Sequence, residues 1–483
     1  MKRISACVGF LLLLNISLNA QDKWDLKKCV DYAVANNISV KQQDLQVRFA
    51  QLDHEQDKGL QLPTLNWGLN SGFNFGLSEN PTTGVLERRS IFSTTAGLQT
   101  GLDLFNWFAI RNQIDASELN VEANKAKVAK VQNDIALNVA VAYLQILMSK
   151  EQVNIAEVQV LQTKTQLEVV RKKVNAGTLP ELNAAELEAQ LAVDSSTLIT
   201  ARSVVQQNIL LMKALLNLDA ATPFDVTTPP VDLIPVESLA DLQPEVVYNS
   251  AVANLPQQRV NELLIQSASK TVSAARGRMY PSVSFFGNLN SRFAAFKVPV
   301  YSQTITGYQN TSFRADAGGG NFLPVQSPIL IQGNQTGYFK SDPLSTQLSD
   351  NFGQGFGIGI QVPILNGNRA RINWNRSKLS VVQLQLQNEQ DKQVLKQDIY
   401  KAYTDATSAI EKYNASRKTV AAAEKAANYA QKRYDVNLLS TYDLLNTQSR
   451  LFRAKIEMTS AQFDYVFRMK LLEFYKGQGL RLE

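Results

Sequence analysis

Side chains that commonly do chemistry in proteins are scarce in this 483-residue chain. His54 is its only histidine, so histidine-based metal sites and Ser-His-Asp triads are effectively excluded. The glycines from Gly353 to Gly359 alternate with other residues and lack the lysine and following helix of a phosphate-binding loop. The acidic residues are scattered at the spacing of helix surfaces. We therefore predict that the protein is not an enzyme and uses no cofactor or metal.

The charged residues argue against nucleic-acid binding. Lysine and arginine together number 49 and the acidic residues number 43, which gives a formal net charge of +6. Two of the positive charges, Lys2 and Arg3, lie at the N-terminus, and the others are interspersed with acidic residues along predicted helices. This arrangement is typical of a solvated helix surface rather than of a basic binding patch. We expect no nucleic-acid partner.

The first twenty residues have the order of a secretory signal peptide. Lys2 and Arg3 precede the apolar run 8–14, and Ala20 is a small residue suited to the cleavage site. No later segment approaches the roughly 20 continuous apolar residues that a membrane helix needs. We predict a signal peptide over residues 1–20. Its removal would leave Cys29 as the one cysteine, so no intramolecular disulfide is expected.

The rest of the sequence contains two similar halves. Residues 26–65 align with residues 244–283 at one constant offset, and residues 177–191 align with residues 437–451 at a larger one. The larger offset reflects extra residues between the two strands predicted in the second half. The alignment predicts an internal duplication, whose parts are a first repeat over 21–217, a linker over 218–242, a second repeat over 243–476 and a tail over 477–483.

Each repeat is expected to hold a helix, two strands, a very long helix, a turn and a last helix. Helical periodicity covers 24–58, 106–174 and 180–217 in the first repeat, and 243–278, 367–437 and 439–476 in the second. Patterns far longer than 25 residues indicate a coiled coil or a helical array. The helices are therefore expected to form long rods rather than a compact globule.

Four segments alternate apolar residues with small or polar ones. They cover 62–77, 91–105, 280–293 and 352–365. A soluble sandwich would show the same alternation in any one segment, but four paired segments on an exported chain favour membrane β-strands. Four strands cannot close a barrel and lipid excludes open sheet edges, so oligomerisation is required. The linkers 78–90 and 294–351 between paired strands are expected to be surface loops.

These features together resemble the TolC family of outer-membrane efflux proteins, over essentially the whole mature chain. The resemblance is carried by the duplicated unit, the strand starts 62–65 and 280–283, the helix start 362–367, and the hairpin segments 177–191 and 434–451. It implies a mixed α and membrane-β fold, with a trimeric twelve-stranded β-barrel built from four strands per protomer. A long periplasmic α-helical barrel would continue it, and residues 218–242 would join the C-terminal tail in an equatorial belt.

The resemblance also implies a function and partners. It implies an outer-membrane exit duct of a tripartite efflux pump or a type I secretion system, which conducts small molecules or polypeptides passively. Such a homotrimer would contact outer-membrane lipid, extend into the periplasm and dock a periplasmic adaptor (membrane fusion) protein. An inner-membrane pump or secretion ATPase would join through the adaptor. The alternative is an exported coiled-coil structural or adhesin-like protein without channel activity, which would not need paired strands in both repeats.

The resemblance places a pore gate at the periplasmic tips of the helical hairpins. Tyr434 falls on the tip tyrosine of the family, and Asp443 falls on its first pore-facing acid. Asn446 lies where some members carry a second acid, and Asn183 lies at the equivalent place in the first repeat. An acid at a helix N-terminus is also favoured by the helix dipole alone. Adaptor contact is expected at the two turns, although ordinary hairpin-turn chemistry would also account for their residues, which are Gly177, Thr178, Leu179, Leu438, Leu439 and Ser440.

Overall fold

The computed structural model describes residues 23–79, 86–228, 237–436 and 438–477. The predicted signal peptide and nearly all of the predicted C-terminal tail lie outside these residues. The chain divides into two compact units, one formed by residues up to 55, 114–272 and 375 onward, the other by 56–113 and 273–374. Each unit therefore contains segments of both predicted repeats. The expected combination of very long helices with antiparallel strands is confirmed.

The helices of the first half are α1 (Leu26–Asn36), α2 (Ile38–Gly59), α3 (Ala109–Asn175) and α4 (Glu181–Leu216). With 67 residues, α3 is about 100 Å long at the usual helical rise. The single helix predicted over 24–58 is wrong, because Asn37 separates α1 from α2. The Asn37 amide donates to the Leu215 carbonyl at 2.9 Å, and its side-chain oxygen accepts the Ser39 N–H at 2.8 Å. These side-chain bonds compete with helical backbone bonds.

The helices of the second half are α5 (Pro244–Asn254), α6 (Pro256–Gly277), α7 (Leu344–Asp350), α8 (Arg369–Asp435) and α9 (Thr441–Lys476). The single helix predicted over 243–278 is also interrupted, at Leu255, because Pro256 disfavours helical backbone in the residue before it. Leaving aside the short α7, the helices of the two halves have the same lengths in the same order, namely 11, 22, 67 and 36 residues.

Six strands are described, namely β1 (Thr64–Glu79), β2 (Leu86–Phe105), β3 (Ser282–Ala295), β4 (Lys297–Asp316), β5 (Phe322–Lys340) and β6 (Gly353–Gln361). Four of them form an antiparallel sheet in the order β1-β2-β3-β6. The outer strands β1 and β6 each have a partner on one side only. The strand predicted over 352–365 ends at Gln361, shortly before Pro363, which has no N–H to give to a ladder.

The segment 294–351 is not the loop that was expected. Strands β4 and β5 pair as a long antiparallel hairpin, which turns at three glycines with positive φ, Gly318, Gly319 and Gly320, and α7 follows it. Register shifts interrupt the pairing at several places, including between Val300 and Tyr301. These bulges break the period-two alternation, and the many Gly, Asn and Pro residues are typical of loops. For these reasons the sequence pattern did not predict the β4–β5 hairpin.

In the first compact unit, residues 225–227 of the predicted linker bond to Trp24 and to helix α3. The Trp24 N–H donates to the Asp225 carbonyl at 3.0 Å, and the Thr227 N–H donates to the Trp24 carbonyl at 3.0 Å. The hydroxyl of Tyr143, a fully buried residue of α3, donates to the Thr227 carbonyl at 2.8 Å. The Lys150 ammonium lies 2.5 Å from the Asp225 carboxylate. Burial alone would raise the pKa of Asp225, but the bond to Lys150 and its charge outweigh burial and lower this pKa below its usual value.

Candidate functional site at the helical hairpin turns

Two hairpin turns connect the long helices to the helices that follow them. In the first turn, between α3 and α4, the Thr178 N–H donates to the Lys173 carbonyl at 2.9 Å. In the second, between α8 and α9, the Leu438 N–H donates to the Arg433 carbonyl at 2.8 Å. Both bonds span five residues, as in a Schellman helix ending, and Gly177 takes the left-handed conformation that this ending needs, with φ of 73°. The two turns thus share this five-residue closing bond.

Asp443 lies in the first turn of α9, next to the residue that caps this helix. The Ser440 hydroxyl oxygen accepts the Asp443 N–H at 3.1 Å, and the same hydroxyl donates to the Asp443 carboxylate at 2.7 Å. The side chain of Asp443 is exposed. Its carboxylate therefore stabilises a helix N-terminus, as the dipole interpretation expected, and it also remains accessible to ions. The pore-gate role stays a prediction.

Tyr434 is half-buried at the end of α8 and contacts a small apolar cluster that joins the two hairpins. Its hydroxyl lies 3.5 Å from the Thr441 hydroxyl across the second turn. We call this group the tip cluster; its members are Val170, Ala184, Leu187 and Leu445, with Leu167, Val174, Leu179 and Tyr434 packed against them. Leu445 is the buried member contributed by α9, so it connects the second hairpin to the first.

Asn183 and Asn446 lie beside members of the tip cluster. Asn183 precedes Ala184 in the first turn of α4, and its N–H donates to the Pro180 carbonyl at 3.2 Å. Asn446 follows Leu445 in α9, and both asparagines are half-buried. The structure therefore brings Tyr434, Ser440 and Asp443 together around the second turn. Each of the two asparagines is the chain neighbour of a buried residue in the tip cluster.

The residues predicted for adaptor contact differ in how accessible they are. Gly177, Thr178, Leu438 and Ser440 are exposed, and the Thr178 hydroxyl donates to the Lys173 carbonyl at 2.8 Å. Leu179 is half-buried against the tip cluster, and Leu439 is half-buried as well. The four exposed residues are therefore accessible to a partner, whereas Leu179 and Leu439 expose less of their side chains.

Sequence reasoning missed two features near the turns. Leu182 and Tyr442 are both exposed and lie at corresponding places in α4 and α9, so each hairpin presents an apolar side chain beside its turn. A glutamine network also joins the hairpins, because the Gln166 and Gln448 amides both donate to the side-chain oxygen of Gln431, at 3.1 and 3.3 Å. The alignment of the two halves could have indicated the paired apolar residues Leu182 and Tyr442. No pattern in the sequence near the glutamines indicated that they would meet.

A buried carboxylate lies farther from the turns, between α3 and α4. Asp194 accepts the Thr163 hydroxyl at 2.6 Å and the Gln190 amide at 2.7 Å, and Gln159 is 3.4 Å away. Asp194, Thr163 and Gln159 are all buried. Thr163 and Gln159 belong to α3, whereas Gln190 and Asp194 both belong to α4. The bonds from α3 hold the two helices in one register, because a slip would leave the buried carboxylate without its α3 donors.

The described residues offer little for chemistry. They contain no group of three or more His, Cys, Asp or Glu side chains arranged to hold a metal ion. The Cys29 thiol is buried, and burial, with a smaller contribution from Asp25, raises its pKa to about 12, so it stays protonated. None of the helices in this part of the chain combines the length and apolar character needed to cross a membrane.

Comparisons with known proteins agree with this architecture. The outer membrane efflux protein BepC of Brucella suis biovar 1 (strain 1330) is 22% identical over 376 residues, which cover 77% of this chain and 69% of that protein. The cation efflux system protein CusC of Escherichia coli (strain K12) is 20% identical over 454 residues, which cover 94% of this chain and 86% of that protein.

Solved structures show the same fold. A crystal structure of CusC superposes with a TM-score of 0.72 at 17% identity, covering 93% of this chain and 91% of that one. The Campylobacter jejuni CmeC outer membrane channel superposes with a TM-score of 0.68 at 16% identity, covering 95% of this chain and 86% of that one. The sequence pattern of one family matches residues 30–218 and 338–468, well over half of the chain, and its description is "Outer membrane efflux protein". The chain belongs to this outer membrane efflux protein family, whose members are passive channels and not enzymes.

Proposed function

We propose that three copies of this chain form one outer-membrane exit duct, in which twelve strands close a single β-barrel. The observation that carries the proposal is the four-stranded sheet with open outer strands, β1 and β6. Unpaired backbone N–H and C=O groups are too costly in lipid for such a sheet to stand alone in a membrane. Pairing β6 of one copy with β1 of the next removes both open edges, and a closed ring leaves none.

The side chains of the sheet support a lipid-facing surface. Along β1, Leu65, Trp67, Phe73 and Phe75 are exposed and alternate with glycine and polar residues. Along β6, Phe356 is 85% exposed, and Ile358 and Ile360 follow at every second position. Apolar side chains exposed at period two on the outer strands match the outward face of a membrane barrel.

The equal helix lengths of the two halves support an internal duplication and a helical tube. With two long helices per copy, α3 and α8, each accompanied by a shorter partner, three copies would supply six equivalent pairs to a periplasmic α-helical barrel. The predicted repeats 21–217 and 243–476 would be the duplicated units.

As an outer-membrane efflux channel, the protein conducts its cargo passively. Its proposed partners are a periplasmic adaptor protein and, through the adaptor, an inner-membrane pump or secretion ATPase. Gly177, Thr178, Leu438 and Ser440 are the accessible residues proposed to meet the adaptor. An exported coiled-coil or adhesin-like protein is not favoured, because the chain belongs to the efflux family.

Assembly and conduction can be tested together. Membranes from cells expressing the full chain should yield the protein in the outer-membrane fraction, as a band of trimer mass on semi-native gels that collapses to a monomer on boiling. Purified trimer should produce steady conductance steps in planar bilayers. A soluble monomer, or an outer-membrane protein that never conducts, would refute the proposal.

The proposed gate can be tested with two matched variants. Asp443→Asn removes the charge while keeping an oxygen for the Ser440 hydroxyl, whereas Ser440→Ala keeps the charge and removes the cap. If three Asp443 carboxylates line the pore, only Asp443→Asn should lower cation preference, measured as a shift in reversal potential across a salt gradient. If the preference stays unchanged in Asp443→Asn, the carboxylate serves the helix N-terminus alone.

A further inference from the structure

We propose that the β4–β5 hairpins of the three copies pack against one another outside the membrane, each through one apolar face. This inference rests on the proposed trimer. The hairpin has no counterpart in the first half of the chain, where β1 ends at Glu79 and β2 already begins at Leu86. It is therefore a feature that the internal duplication does not explain.

The hairpin leaves the sheet at the end opposite to the long helices. Strands β2 and β6 lead into α3 and α8, and both run antiparallel to β3, so the last residue of β3, Ala295, lies at the other end of the sheet. Strand β4 begins two residues later, at Lys297. Because the long helices of the proposed duct lie in the periplasm, the hairpin extends from the outer surface of the membrane.

The base of the hairpin is held in place by α7. The Gln347 side chain accepts the Ala294 N–H at 3.0 Å and donates to the Ala294 carbonyl at 3.1 Å. The Ser291 hydroxyl donates to the Leu348 carbonyl at 2.7 Å. These bonds join α7 to the last residues of β3. In a trimer, three hairpins would therefore start from equivalent, fixed places around the barrel.

A hairpin of this length needs a cover. Its strands have 20 and 19 residues, which corresponds to a length of about 65 Å at the usual rise of a strand. Among the described strands, β4 and β5 form a two-stranded sheet of their own, and an isolated hairpin is marginally stable in water. Large apolar side chains are exposed along both strands and include Ile305, Tyr308, Phe313, Leu323, Val325, Ile329, Leu330 and Ile331. Such a surface marks an interaction site.

Four of these side chains lie on one face of the hairpin. Between Phe322 and Gln332 the register shifts add residues only to β4, so β5 alternates regularly and its odd-numbered residues share a face. We call this side the aliphatic face; its apolar members in β5 are Leu323, Val325, Ile329 and Ile331.

The residues of β4 leave the aliphatic face uncovered. Ala315 lies opposite Leu323, Thr304 opposite Ile331, and Gly307 opposite Ile329. A Cβ added to Gly307 would lie 3.8 Å from the Ile329 Cδ1, which confirms that the two residues share a face. Small residues opposite large aliphatic ones leave room for another chain to approach them closely.

The charges of the hairpin lie on its other face. Between Lys297 and Lys340 the only charged residues are Arg314 and Asp316. They pair with Pro324 and Phe322, which are even-numbered residues of β5 and so belong to the face opposite the aliphatic one. The aliphatic face is therefore free of charge along its whole length.

The absence of charge favours a second copy of the chain as the occupant of the aliphatic face. Around a threefold axis each side chain meets its own copies, so a charge there would meet like charges. A face that packs against itself must therefore be uncharged, whereas a charged partner would be matched by opposite charges. The proposed trimer also holds the three faces close together, which raises their effective concentration.

Prolines favour packing by faces over pairing by edges. Strand β4 contains Pro299, and β5 contains Pro324 and Pro328. Proline has no N–H to give to a further strand and is one of the residues that protect open sheet edges. The hairpin is therefore a poor template for the addition of an extended peptide, while its aliphatic face remains available.

Single cysteines on the two faces test this inference. Ile329 and Leu330 are neighbours on opposite faces, and their exposed fractions are similar, 41% and 48%. In the full-length trimer, a short bis-maleimide should link Ile329→Cys into covalent dimers and link Leu330→Cys several-fold less. Cys29 is buried and does not interfere.

The outcomes that would contradict the inference are distinct from a failure of the proposed function. Equal linking at the two positions, or no linking of Ile329→Cys in a protein that still runs as a trimer on semi-native gels, would overturn it. An adduct whose mass is not a multiple of the chain would assign the aliphatic face to another protein and would overturn it too. Absence of any trimer in the unmodified chain would refute the proposed function instead.

A charge placed on the axis gives a second test that does not depend on position 329 as a linking site. Val325→Cys should also link the copies, because Val325 lies on the aliphatic face. Adding Ile329→Lys would bring three ammonium groups together and should lower this linking several-fold, whereas adding Leu330→Lys, on the other face, should leave it unchanged. Linking that is the same in both double variants would contradict packing through the aliphatic face.

Discussion

The strongest single test of the tip concerns Leu445, the side chain through which the second hairpin joins the tip cluster. Leu445 is 8% exposed and packs with Val170, Ala184 and Leu187 of the first hairpin. Truncating a buried leucine to alanine costs about 2–5 kcal/mol, because packing is lost and a cavity remains. Leu438 is a matched control on the second turn, since it is 67% exposed and its truncation should cost no more than about 0.5 kcal/mol.

The difference of at least about 1.5 kcal/mol corresponds to roughly a tenfold change in the equilibrium between joined and separated hairpins. In planar bilayers, Leu445→Ala should therefore open more often or to a larger conductance, while Leu438→Ala should conduct like the unmodified channel. Leu438→Ala should instead weaken adaptor capture, which can be measured by pull-down with the purified adaptor. If Leu445→Ala left both the conductance and the thermal stability unchanged, the tip cluster would not hold the hairpins together.

Two further predictions concern carboxylates that are partly or fully buried, Asp225 and Asp194. The pKa of Asp225 is lowered in the folded state, so its contribution to stability is present above the ordinary carboxyl pKa and is lost as pH falls through the lowered value. Lys150→Met should remove much of this acid sensitivity, seen as a smaller fall in melting temperature between neutral and acidic pH; an unchanged fall would show that the ion pair is unimportant. Asp194→Ala removes the acceptor of the buried Thr163 hydroxyl and should cost about 1–3 kcal/mol in thermal unfolding. A melting temperature equal to that of the unmodified protein would contradict the pinning role of this carboxylate.

Part of the architecture follows from local patterns that act within a few residues. Helical periodicity located the long helices, which the structure bounds at Ala109–Asn175 and Arg369–Asp435. The break in the helix before Pro256 could also have been predicted from the sequence, because a proline restricts the backbone of the residue before it whatever the surroundings. The break at Asn37 could not, since it depends on a hydrogen bond to Leu215, far away in the chain.

At the hairpin turns, too, some contacts could have been predicted from the sequence and others could not. A serine followed three residues later by an acid is a recognisable helix start, so the bond between Ser440 and Asp443 could have been predicted from their spacing. The contact of Tyr434 with the tip cluster and the meeting of Gln166 with Gln431 could not, because these residues come from hairpins far apart in sequence. Long-range packing, rather than propensity, brings such pairs together.

Alternation of apolar and polar residues was sufficient to identify four strands, because side chains on a strand point to opposite faces at every step. It failed for β4 and β5, where bulges reset the alternation and the composition is that of a loop. Helix and strand type thus follow from short-range geometry in the chain. Which side chains of the two hairpins are buried against each other is a property of the folded molecule, because burial depends on what the distant half of the chain places opposite them.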